Sequence, residues 1–274
     1  MPAAITIKHQ QILDKLAAAK LVEAVTDDVS LLLFWEMLGP GRKDAFGEVA
    51  EAVIPQLLER WDCVLRAPED EVSTLYKQKT KLALATVMHK YGLLDAQVTV
   101  GALAAIDELN EAVALSDDFF RKSEPIKAFL SAPPKPLSRR PTKPESLTFL
   151  RAGDVIAVQV AGRYHAAYVH EVGQNVAPVI ELYDFVSAAK PVLNDVVSHR
   201  AKGGKYNDGT ERVEKYQVRG LKHVPDGANQ FHLLGSGVAA GPSQTHLGAP
   251  VGLYSVTHTF KLLQTVGRLF PARP

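Results

Sequence analysis

Hydrophobic positions change their period partway along the chain. Up to residue 131 they recur at three- and four-residue steps, the spacing of one helix face. Over residues 5–25, Ile12, Leu13, Leu16 and Leu21 repeat with Lys8, Gln11, Asp14, Lys15 and Lys20 between them, which predicts an amphipathic helix. Residues 31–38 are apolar nearly all round and predict a buried helix anchored by Trp35, capped by Asp27 or Asp28 and stopped by Gly39, Pro40 and Gly41. Asp44 can cap the next helix, 45–66, which turns Phe46, Val49, Val53, Leu57, Trp61 and Val64 inward and should kink or split at Pro55. Pro68 with Glu69, Asp70 and Glu71 opens another, carrying Val72, Leu75, Leu82, Val87 and Tyr91 to a stop at Gly92. An alanine-rich helix follows over 98–115. Asp117 and Asp118 cap a short piece, and Pro125 opens a last one to Leu130. About six helices are expected, packed as a bundle over residues 1–131.

Residues 132–146 hold five prolines, and neither a helix nor a central strand tolerates that. They read as an extended linker whose Arg139, Arg140 and Lys143 are solvated. Beyond it the period falls to two. Residues 155–160 alternate as a strand, and Ala161, Gly162 and Arg163 make a hairpin connection. Residues 164–172 form a second strand with Tyr164, Ala166, Tyr168 and His170 on one face. After a turn at Gly173, Gln174 and Asn175, residues 179–185 form a third, ending in Tyr183 and Asp184. Three strands on short turns begin an antiparallel meander. The fold class expected is therefore α+β, a helical bundle followed over 147–274 by an antiparallel β domain, an SH3-like small barrel with inserts. The inserts are the glycine-rich loops 201–209 and 235–250. Short strands are expected at 211–218, 221–224, 230–234 and 252–260, while 262–269 suits strand or helix.

Charge and chemistry narrow this little. Formal net charge is +1, so no global field draws in nucleic acid or a charged membrane. The longest apolar run, 29–35, is too short to span a bilayer, and residues 1–11 lack the pattern of a signal peptide. The single cysteine, Cys63, suits a reducing cytoplasm. Seven of the nine histidines follow residue 160, without H-x-x-x-H, H-x-H or H-E-x-x-H spacing. No metal or other cofactor is expected from that pattern. Ser236 lacks the glycine a nucleophile elbow needs, and no catalytic residue is expected. Basic and aromatic residues mix from Arg200 to Lys222, but Asp208, Glu211, Glu214 and Asp226 dilute them, which weighs against nucleic acid as partner.

The segments Gly153-Asp154-Val155-Ile156-Ala157-Val158, Gly162 to Val169 and Leu182-Tyr183-Asp184-Phe185 resemble the SH3-like-barrel immunity proteins of bacterial polymorphic toxin systems. The resemblance covers about residues 151–187. It implies a non-catalytic cytoplasmic protein that binds and neutralises a cognate toxin. It further implies Arg163, Tyr164, Tyr168, Tyr183 and Asp184 as partner-binding residues. The alternatives are a hydrolase, possibly zinc-dependent, using the histidine-rich C-terminal domain through His223 and His232, and a nucleic-acid-binding adaptor.

Overall fold

The structure, a computed structural model, describes residues 7–38, 45–145, 147–173 and 177–271. The stop at Gly39, Pro40 and Gly41, the cap at Asp44 and the turn residues Gln174 and Asn175 lie outside the described residues. Among those described, the fold is mixed α+β, with six of eight helices in the first unit and a six-stranded sheet in the second. The units are Met1–Pro144 and Glu145–Pro274.

In the first unit the helices are α1 (His9–Lys15), α2 (Ala19–Glu36), α3 (Phe46–Leu65), α4 (Thr74–Lys90), α5 (Ala96–Glu111) and α6 (Asp117–Ser131). Their bounds depart from the periodicity in several places: α4 starts at Thr74, capped by Ser73, rather than at Pro68, α6 is capped by Ser116 rather than by Asp117 or Asp118, and three further departures have a clear physical reason. The expected helix over 5–25 breaks at Ala17, whose φ of 47° cannot continue a right-handed helix. Asp28 is not a cap. It is buried inside α2, where its carboxylate accepts from Arg60 Nε at 2.6 Å and Trp61 Nε1 at 3.1 Å. Pro55 and Pro125 neither split a helix nor start one, because α3 and α6 run through them. Helix α4 contacts α1, α2, α3, α5 and α6, and it is buried along nearly all of its second half, Leu82 to His89.

The proline segment is extended yet not free of this unit. Arg140 lies over the ring of Phe34, 4.4 Å from its centroid. The backbone of Lys135 to Leu137 packs so closely on Gly92 that a Cβ there would stand 2.8 Å from the Lys135 carbonyl oxygen. Gly92 has φ 79°, so glycine serves both the turn and the close approach.

The second unit opens with the meander β1 (Val155–Val160), β2 (Arg163–Val172) and β3 (Pro178–Leu182). Ala161 and Gly162, φ 48° and 72°, form the two-residue turn between β1 and β2, and Val160 pairs with Arg163 across it. Then come α7 (Leu193–Val196), β4 (Gly204–Lys205), β5 (Glu211–Arg212), β6 (Tyr216–Arg219), β7 (Phe231–Gly235), β8 (Ser255–His258) and α8 (Thr259–Leu269). The stretch 221–224, expected as a strand, is loop, and the undecided 262–269 is helix.

The sheet order is β7-β1-β2-β3-β6-β8, and β4 pairs only with β5. The expected antiparallel SH3-like barrel does not form. Strands β6 and β8 run parallel, the sheet is open, and no closed barrel forms among the described residues. The reason lies in α8. It packs Leu262, Leu263 and Val266, with Phe270 just beyond it, against Ile156, Val158, Val169, Ile180 and Val218. A helix covers the core that closing strands would otherwise cover. The opposite face buries Val155, Ala166, Tyr168, Tyr183 and Phe185 with Val196. Both faces of β1 and β2 are thus consumed by packing.

Candidate functional site

The five residues implied by the resemblance do not form one surface. Arg163 donates from Nη2 to the Phe270 carbonyl at 3.0 Å and so ties the hairpin to the end of α8. Tyr164 is buried beside His232. Asp184 is half-exposed and holds Lys202 at 3.2 Å and Arg200 at 3.5 Å. Tyr168 on β2 and Tyr183 just beyond β3 come together, both buried in the same cluster. The Tyr168 hydroxyl donates to the Val238 carbonyl at 3.0 Å. Three tyrosines therefore serve the interior and offer a partner almost no area.

Beside Tyr168 and Tyr183 the sheet carries a polar cluster that sequence periodicity did not single out. Glu181 is 0% exposed. His170 Nε2 donates to its Oε2 at 2.7 Å, and Gln244 Nε2 lies 2.8 and 2.9 Å from its two oxygens. Gln244 belongs to the segment 236–250, whose Gly241 packs against the rings of Tyr168 and His170. Burial, then Tyr168 and Glu181, push the Tyr183 hydroxyl up to about 12. A histidine whose Nε2–H is spent on a buried carboxylate keeps Nδ1 as a proton acceptor, the geometry of an oriented base. Alternation along β2 had placed Tyr168 and His170 on one face. The facing Glu181 could be found only from the β2–β3 register, in which it pairs with Tyr168.

The histidines weighed for zinc lie elsewhere. His223 and His232 line a cavity of about 20 Å³, room for one water, together with Asp226. The Asp226 carboxylate accepts from the backbone N–H of Ala228, Gln230 and Phe231 at 3.0–3.3 Å and so builds a turn. Among the described residues of this unit, no three histidine, cysteine or carboxylate donors converge on one point. In the basic-aromatic stretch, Arg212 pairs with Asp208 and stacks on Tyr206, and Tyr216 is buried against Glu214. Several of its bases are thus already neutralised.

The exposed chemistry of the second unit concentrates at β8. Residues 251–256 are all exposed, and four are apolar: Val251 at 67%, Leu253 at 86%, Tyr254 at 37% and Val256 at 59%. Among the described residues, strand β8 has a neighbour, β6, on one side only. A sequence signal for this surface exists. Residues 227–260 contain no Asp, Glu, Lys or Arg in a chain that is 22% charged. Solvated loops and edges ordinarily carry charge, and this stretch does not.

No family model, curated protein or solved structure matches this chain. No described helix is long and apolar enough to cross a membrane.

Proposed function

We propose that this protein is an immunity protein that binds a cognate bacterial toxin in the cytoplasm and neutralises it by contact. The observation that carries the reading is the exposed, charge-free run at 251–256 beside the edge strand β8. Apolar side chains left in water beside an unpaired edge are what a protein partner covers. Of the resemblance to SH3-like immunity proteins, the β1–β2–β3 meander is the part retained, as the scaffold behind that edge. The binding residues move from Tyr164, Tyr168 and Tyr183 to Val251, Leu253, Tyr254 and Val256. The test is co-expression with the product of the neighbouring gene. Rescue of growth and a stoichiometric complex, both weakened by Leu253→Ser, support the reading. Absence of both rescue and complex removes it.

A second reading, a hydrolase, has one observation in its favour: His170 oriented by the buried Glu181. Turnover of ester or phosphodiester substrates that is lost in His170→Ala and Glu181→Gln would select it. Stoichiometric zinc lost on substituting His223 and His232 would select its metal-dependent form.

A further inference from the structure

We infer that the outer edge of β8 accepts an extended strand from a second protein, an apolar strand flanked by acidic side chains, as an additional strand of the sheet. This rests on the partner-binding reading above and specifies how the partner is held. Ser255 N–H donates to the Lys215 carbonyl at 2.9 Å. In a parallel ladder one residue turns both its peptide groups to the same neighbour, and the next turns both away. Ser255 and Thr257 therefore serve β6, and Val256 points its N–H and C=O outward. The ladder runs in step over four pairs, from Tyr216 with Ser255 to Arg219 with His258, with no bulge. Neither charge, proline nor a bulge defends the strand, although native edges commonly use one of these.

Charge decides who the occupant is. The charged residues of the two elements that adjoin the strand, β6 and α8, are Arg219, Lys261 and Arg268, all basic, and Lys215 precedes β6. Glu214, the acid nearest β6 in sequence, is already engaged. Its carboxylate accepts from the Tyr216 hydroxyl and lies against Gly204. Two copies meeting edge to edge would set base against base. A foreign strand with carboxylates at its ends meets complementary charge instead. Backbone bonds then supply affinity, and the flanking charges supply choice of partner.

The probe is a short blocked peptide of alternating valine and threonine with glutamates at both ends, titrated calorimetrically into the full-length protein. The control peptide carries lysines in place of the glutamates. The glutamate peptide should bind at least about tenfold more tightly, and the preference should shrink as salt screens it. Val256→Pro removes the outward donor at an edge position where proline is tolerated, so it should lose the peptide with an unchanged melting temperature. If that variant melts early, Val256→Glu keeps the backbone intact, repels acidic flanks and should likewise lose binding. Equal binding of the two peptides, no binding, or a dimer of the free protein that Val256→Glu dissolves would each overturn the inference. Toxin protection by Val256→Pro equal to wild type would also overturn it while leaving the immunity function standing. Wild-type protein that fails to protect yet still binds the glutamate peptide would remove the immunity function and leave the edge site intact.

Discussion

The two edges of the sheet face the same hazard and meet it differently. Both lie in the charge-free segment 227–260, so neither β7 nor β8 is defended by lysine or glutamate. Strand β7 is defended by shape. Its register on β1 slips between Val155 and Ile156, which pair with Gly235 and Leu233, so Leu234 is left over as a bulge. Leu193 of α7 then packs onto Gly235, where a Cβ would come within 2.6 Å of its Cδ2. Among the described residues, strand β8 has neither bulge nor cover, and its Val256 stands in water with Val251, Leu253 and Tyr254 just before it. An edge that distorts itself needs no partner. One that stays straight and apolar in the same charge-poor setting is suited to having one.

The largest effect expected concerns acid. Burial first, then the charge of Arg163, hold His165 down to about 4 from an ordinary 6.5, and His258, the last residue of β8, is held to about 4 by burial and then Lys261. The unfolded chain takes up these protons near 6.5 and the folded one only near 4. Stability is therefore complete above 6.5 and is lost as pH falls from 6.5 towards 4. For His165, 1% exposed, the loss is of order 3 kcal/mol. Urea midpoints measured across this range should fall with acid, and His165→Asn should flatten the dependence. An unchanged slope in that variant would place the acid sensitivity at the other two histidines held to about 4, His258 at the end of β8 and His9 in α1.

Next in size, Gly235→Val should drive Leu193 off the guarded edge and cost about 1–3 kcal/mol in chemical denaturation. No loss of stability would mean that the bulge alone defends β7. Ala161→Asn, at the turn residue with φ 48°, should gain about 1 kcal/mol, because asparagine tolerates the left-handed conformation better. It lies at the β1–β2 turn, so it serves as a control that should alter neither strand's pairing with a partner. Smallest, Leu253→Ser and Val256→Thr should shift stability by under about 0.5 kcal/mol while weakening partner binding. A large thermal shift would show that the bare edge already does packing work.

The meander was legible because alternation, a glycine turn and strand length agree over 155–185, and two-residue hairpins fix their own register. The helix boundaries were less so. Asp28 reads as a cap in sequence, and only Arg60, 32 positions away, makes it a buried ion-pair partner. The barrel was misjudged because residues 262–269 suit strand and helix alike, and choosing helix fills the core without closure. Glu181 stayed hidden for a similar reason. It is one acid in an apolar strand, and its partners come from β2 and from Gln244, 63 positions away.

Helix α4, which α1, α2, α3, α5 and α6 all contact, makes the first unit a hub with spokes rather than a row of stacked pairs. A row can be shortened from either end and melts piecemeal. A hub loses part of its cover with any spoke, so the first unit should melt in one cooperative step, with the amides of Leu82 to Met88 the last to exchange with solvent.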